Sequence, residues 1–294
     1  MLREILRGTG VALITPFKED KSIDFDALQA VINFVIDGGV NYLVTLGTTG
    51  ETPTLSKEEK LDIIQATFSA TAARVPVVIG VGGNSTHDVI KEIDAFPVDK
   101  ATAILSASPY YNRPSQEGIF QHYKAIASAT RKPIILYNVP ARTGSNISAA
   151  TTVRLANEID TVAGIKEASG NMAQCMQILR DKPQEFMVVS GDDALALPQI
   201  ACGMDGVISV AANCFPKDFS RMVTAALDGD YAGARTINND LMPGYDLLFA
   251  ENNPAGVKAF LTELGIIKNQ LRLPLVPLSS ELHQQAKKYL STLK

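Results

Sequence analysis

The stretch Gly-Ile-Lys-Glu-Ala-Ser-Gly-Asn, residues 164–171, sets an amine among apolar and small neighbours. Its lead-in, Ile-Asp-Thr-Val-Ala, is rich in β-branched residues and reads as a strand, so Lys166 stands mid-strand. Side chains of a strand alternate between faces, which puts Gly164, Lys166 and Ala168 on one face and Glu167 on the other. The two small residues leave room for a long side chain in a crowded interior. Burial disfavours the charged form of an amine, and a neutral amine attacks a carbonyl carbon to form a Schiff base. The competing role is structural, an ion pair with a carboxylate such as Glu167. Alternation weakens that pairing, because the two side chains leave the strand on opposite sides.

Other chemistry-bearing residues fall just after apolar runs. Gly-Thr-Thr-Gly-Glu at 47–51 offers two hydroxyls and several backbone N–H groups on one turn, which suits a small carboxylate; it also suits a plain strand-to-helix connection. Tyr137 and Tyr111 sit at or just past strand ends, where a tyrosine either packs with a wet hydroxyl or relays protons near an activated amine. Arg142 lies in a loop with Thr143 and Gly144, either solvated or able to hold a carboxylate bidentately. In Gly191-Asp192-Asp193 the two adjacent acids point apart and make a poor chelate, so one is expected to cap a helix. His122 lies in a helix beside Tyr123 as a surface or half-buried residue, and the cysteines are expected to behave as small core residues.

The elements that must position these groups recur regularly. Eight apolar, β-rich runs occupy residues 10–17, 42–47, 75–82, 101–108, 133–140, 162–169, 186–193 and 206–213. Most are continuous rather than alternating, as parallel strands read when both faces are covered. Amphipathic segments lie between them. Ser56 with Glu59 three residues on forms a capping-box pattern, and Leu61, Ile64 and Phe68 follow on one face. Residues 24–39 end in glycine as a helix C-terminus should. Eight strand–helix units predict a (β/α)8 barrel over residues 1–224, followed by a helical domain over 225–294. A doubly wound open sheet is the rival, but no G-x-G-x-x-G follows the first strand. Barrel active sites form at the C-terminal ends of the strands, where all of these residues fall.

Composition narrows the class. The chain has 294 residues and a net charge of −4, which argues weakly against nucleic acid or an anionic membrane as partner. Cys175, Cys202 and Cys214 are odd in number and widely spaced, giving no disulfide framework. Three histidines argue against a His-rich metal site. The start, Met-Leu-Arg-Glu-Ile-Leu-Arg, is too polar for a secretory signal, and no apolar run reaches the roughly 18 residues of a membrane span. The cytoplasm is the expected compartment.

Together, "GTTGE", "SPYYNRPSQEG", "YNVPARTG", "GIKEASGN" and "GDDALAL", in this order and at these strand ends, resemble the dihydrodipicolinate synthase family. The likeness continues into "ENNPAGVKAFLTELG" and "LRLPLVPLS". Other pyruvate-dependent class I aldolases, such as N-acetylneuraminate lyase and 2-keto-3-deoxygluconate aldolase, share the lysine, the tyrosine and the threonine turn. Arg142 and Tyr111 favour the synthases over these sugar-acid enzymes, and a silent anion-binding barrel would have no reason to keep the whole set.

The resemblance implies condensation of pyruvate with L-aspartate 4-semialdehyde through a Schiff base on Lys166. It implies that Tyr137 shuttles protons, Thr48 links Tyr137 to Tyr111, and Tyr111 reaches a neighbouring subunit's site. Thr49 would hold the pyruvate carboxylate and Arg142 that of the semialdehyde, with Gly191 and Ile208 also at the substrate. It implies a homotetramer built as a dimer of dimers and no metal or organic cofactor. Asn84 and Tyr110 match the pattern of the family's allosteric lysine site, and Asp88 stands where a glutamate is common. Lys57 and Lys60, however, stand where lysine-sensitive members carry histidines, so feedback inhibition by L-lysine is expected to be weak or absent.

Overall fold

Uninterrupted Val, Ile, Leu and Ala runs need cover on both faces, and the barrel supplies it. The computed structural model describes residues 1–293. Its eight strands are β1 (Gly8–Ala12), β2 (Tyr42–Thr45), β3 (Val77–Gly80), β4 (Ala103–Ala107), β5 (Ile134–Asn138), β6 (Val162–Glu167), β7 (Met187–Ser190) and β8 (Gly206–Ser209). They pair in parallel, in chain order, and β8 closes onto β1. Each expected run contains or overlaps one strand. The first differs most: β1 stops at Ala12, and residues 13–17 leave the sheet, with Pro16 lacking the N–H that a ladder needs.

Side chains divide by strand parity. One cluster fills the barrel, including Tyr42, Val44, Ile135, Val189 and Ile208. A larger one, including Leu43, Ile79, Ile165 and Val188, lies between the strands and the helices. Several helices carry side-chain caps. Asp24 accepts from Ala27 N ahead of Phe25–Asp37. Ser56 and Glu59 form the reciprocal capping box of Lys57–Thr71. That helix buries Ile63, Ile64, Thr67 and Thr71, whereas Leu61 and Phe68 are only half-buried. The expected stripe was displaced because two threonines are buried in it: Thr67 Oγ1 donates to Ile63 O at 2.7 Å and meets Thr45 Oγ1 at 3.3 Å. A satisfied hydroxyl can be buried cheaply, and hydropathy does not register it.

The β7–β8 seam carries a single register pair, Ser190 with Val207. Side-chain carboxylates reinforce it at both ends. Asp205 Oδ2 accepts from Val188 N at 3.0 Å. Asp193 Oδ2 accepts from Val210 N at 3.1 Å and Ala211 N at 2.9 Å.

After β8 come four helices, Pro216–Leu227, Tyr231–Phe249, Ala255–Glu263 and Ser280–Leu290. Phe215, Phe260 and Tyr289 pack edge to face, with centroids 5.3–6.1 Å apart. The division between residues 224 and 225 remains a proposal. The first of these helices runs across it, and Phe219 and Met222 belong to the same apolar core as Val11. Among the described residues no helix is long and apolar enough to cross a membrane.

Candidate active site

Lys166 is in register with Tyr137 of β5 and Val189 of β7, inside the barrel and 4% exposed. Its Nζ lies 4.4 Å from the centre of the Tyr137 ring. No ion pair among the described residues includes it. Glu167 points outward, as strand alternation requires. Its carboxylate accepts from Asn138 Nδ2 at 2.9 Å, Gln174 Nε2 at 3.1 Å and Ser169 N at 2.7 Å. These partners occupy it on the helix side of the sheet, so the Lys166–Glu167 ion pair does not form.

The room for Lys166 comes from a glycine at the neighbouring strand's end rather than from Gly164. A methyl group at Gly164 would meet Met187 Cβ at 2.9 Å, so that space belongs to Met187. A methyl at Gly191 would meet Lys166 Cε at 3.0 Å, Lys166 Cγ at 3.1 Å and Ala168 Cβ at 2.6 Å. Gly191, on the neighbouring strand's end, is therefore the residue that admits the lysine.

The amine faces a cavity of about 500 Å³ at the C-terminal mouth, lined among others by Thr48, Thr49, Tyr137, Arg142, Lys166 and Gly191. A second cavity of about 310 Å³ shares Thr48, Tyr137 and Arg142 with it and runs out to Tyr110, Lys60 and Glu92. Thr48–Gly50 is a single 3₁₀ turn, closed by Gly50 N donating to Gly47 O at 3.0 Å. Thr15 Oγ1 donates to Gly50 O at 2.8 Å and supports the turn from β1's exit. Thr49 is 2% exposed, and its Oγ1 accepts from Asn253 Nδ2 at 2.9 Å. Arg142 sits on the short helix Pro140–Thr143, which Gly144 ends at φ +71°. Its guanidinium reaches Asn253 O at 3.4 Å and otherwise faces solvent.

Ile208 packs inside the barrel opposite Gly10, 1% exposed, and is not among the residues lining the cavity. Tyr111 lines neither cavity. It is 90% exposed, at φ +70°. Asn84 and Asp88 are exposed, and Asn84 O accepts from Asn112 Nδ2 at 2.8 Å. Lys60 is paired with Glu92 at 2.6 Å. Of the two cations expected near that region, only Lys57 stands without a carboxylate. His122 is buried rather than superficial, with Nδ1 2.8 Å from Thr86 Oγ1, and burial pulls it down to about 4.

Neither acid caps a helix as expected: Asp192 Oδ1 accepts from Ala194 N at 3.1 Å and Leu195 N at 3.3 Å in the turn ahead of the helix Ala196–Ala201, which has no side-chain cap. Asp193 is buried against the end of β8. Burial pushes its carboxyl up to about 6, against opposing hydrogen bonds from Ser209, Ala211 and Val210. Tyr245, Asp246 and Asn253 also line the cavity from the C-terminal region and were not expected from their local sequence. Nor was a second buried lysine. Lys258 is fully buried, ion-paired with Glu51, and donates to Gln270 O at 2.8 Å. Burial pulls it down to about 8 although Glu51 opposes this. Access to the cavity separates the two lysines: Lys166 lines it and Lys258 does not.

The model of the "Dihydrodipicolinate synthetase family" matches residues 5–293. A 4-hydroxy-tetrahydrodipicolinate synthase of Parabacteroides distasonis is 51% identical over 288 residues, 98% of this chain and 97% of that relative. The synthase of Phocaeicola vulgatus is 49% identical over 294 residues, covering 100% and 99%. Among solved structures, dihydrodipicolinate synthase from Aquifex aeolicus superposes with a TM-score of 0.94 at 39% identity, covering 97% of each chain. A structure described as the first monomeric dihydrodipicolinate synthase variant superposes at 0.95 with 37% identity, covering 98% of this chain and 97% of that one.

Proposed function

The chain belongs to the dihydrodipicolinate synthetase family, and we propose that Lys166 carries its chemistry as a Schiff base with pyruvate. The reaction condenses pyruvate with L-aspartate 4-semialdehyde to 4-hydroxy-tetrahydrodipicolinate, the first committed step toward diaminopimelate and lysine. The relatives favour it over cleavage of a sugar acid. The observation that carries the assignment is the Lys166 amine itself, free of any carboxylate, above the Tyr137 ring and open to the cavity.

In this reading the amine adds to C2 of pyruvate and water leaves, giving an imine that withdraws electrons from the neighbouring methyl. Loss of a methyl proton gives the enamine, with the Tyr137 phenol as proton carrier. The enamine carbon attacks the aldehyde, and the semialdehyde's own amine then adds to the imine carbon, closing the ring and releasing Lys166. Thr49 and the turn's amides hold the pyruvate carboxylate, and Arg142 holds that of the second substrate. These steps need no metal or organic cofactor. Tyr111 acts in the site of a second copy within a dimer of dimers. Its near-complete exposure beside the 42%-exposed Tyr110 supports that role.

Lys166→Ala should fold and lose nearly all turnover. Borohydride added with pyruvate should label the wild type on Lys166 alone, located by peptide mass. Label on Lys258 or another lysine would overturn the assignment.

A further inference from the structure

Thr48–Gly50 leads directly into Glu51, whose backbone is left-handed at φ +54°. A residue with a Cβ adopts this region only when its surroundings impose it. The groups that touch the Glu51 carboxylate all come from the C-terminal segment. One oxygen accepts from Lys258 Nζ, and the other accepts from Arg272 N at 3.0 Å. Lys258 and Arg272 both lie against the Phe17 ring, at 4.2 and 4.5 Å from its centre. Arg272 also donates to Thr54 O at 2.9 Å and to Glu59 Oε2 at 2.7 Å. Asn253, at the other end of the same segment, donates to Thr49 Oγ1. That bond occupies a lone pair of the hydroxyl and leaves its proton free to donate into the cavity.

We infer that residues 253–272 form a positioning clamp on the Thr48–Glu51 turn, through the Glu51–Lys258 pair above all, and that this clamp sets the affinity for pyruvate. The inference rests on the reading that the turn holds the pyruvate carboxylate. A stabilising role alone explains the pair poorly, because a buried ion pair gains little over well-packed apolar groups of similar volume. Glu51 and Lys258 are positioning residues; neither lines the cavity.

The double variant Glu51→Gln/Lys258→Met removes both charges together, so no unpaired charge is left in the core. It should unfold close to the wild-type temperature. Its KM for pyruvate, and the pyruvate concentration that half-saturates borohydride labelling of Lys166, should rise about tenfold, as for a reacting group displaced by a fraction of an ångström. KM for aspartate semialdehyde should stay within about twofold, since neither Glu51 nor Lys258 bonds to Arg142. If the double variant does not fold, Asn253→Ala, which releases the clamp's other end from Thr49 without unpairing a buried charge, provides the same readout. Wild-type half-saturation by pyruvate in either folded variant overturns the clamp. Thr49→Ala separates the two levels. If it also leaves pyruvate binding unchanged, the carboxylate assignment fails; if it weakens binding while the clamp variants do not, only the clamp fails.

Discussion

At Gly191 a methyl group would meet Lys166 Cε at 3.0 Å and Ala168 Cβ at 2.6 Å, so the missing side chain lets the amine extend toward the cavity. Gly191→Ala should therefore leave the fold intact and slow both turnover and the labelling of Lys166, by roughly 10- to 100-fold for a displaced nucleophile. An unchanged labelling rate would mean that the lysine has slack the contacts do not suggest. The residue types needed for Schiff-base chemistry were legible in the sequence at Lys166 and Tyr137, because a polar group inside an apolar strand is conspicuous. Gly164 was misread as the residue making room. Strand parity identifies neighbours along one chain, whereas the contact that matters here comes from the adjacent strand.

Among the elements, the seam between β7 and β8 depends on Asp193, which accepts two backbone N–H groups from the end of β8. Burial raises its carboxyl from an ordinary 3.8 to about 6. The folded state thus holds this proton more tightly than the unfolded one. The stability contributed is fully present below about pH 4 and lost as pH rises through 6, roughly 3 kcal/mol in all. Asp193→Asn cannot titrate. Urea unfolding of both proteins between pH 4 and pH 7 should show the wild type losing about that much relative to the variant. Parallel pH profiles would remove Asp193 as the source. Strand order and the Ser56–Glu59 capping box were readable from spacing, but a carboxylate serving as a substitute for missing ladder bonds has no local signature.

For the whole molecule, the placement of Tyr111 yields a complementation experiment. Lys166→Ala and Tyr111→Phe should each be poorly active alone. Mixed and reassociated, they should regain activity, because a Tyr111→Phe subunit keeps its own lysine and receives an intact tyrosine from its Lys166→Ala partner. No recovery in demonstrably mixed oligomers would place Tyr111 outside the chemistry. Regulation is a second property at this scale. Lys57 is exposed, and Lys60 is spent on Glu92 beside the outer cavity. The expected inhibition by L-lysine is weak, with a constant above roughly a millimolar, the upper end of ordinary metabolite affinities. Tight inhibition in a titration of turnover would show that the Lys60–Glu92 pair opens to admit the ligand. The structure weakens the reason for the expectation, since Lys60 is neutralised by Glu92 and Lys57 does not line the outer cavity.

The sequence by itself determined the eight-unit barrel, the Ser56–Glu59 capping box and the strand ends where Lys166, Tyr137, Thr48 and Arg142 stand. Periodicity, turn chemistry and a misplaced ammonium are all local signals. Only the tertiary structure decided which of two buried lysines faces a cavity, which glycine admits it, and what holds the threonine turn. Lys258 and Glu51 are 207 residues apart, and Asn253 and Thr49 are 204 apart. Contacts of that span follow from how the closed barrel and its C-terminal helices pack, and no short window of sequence contains them.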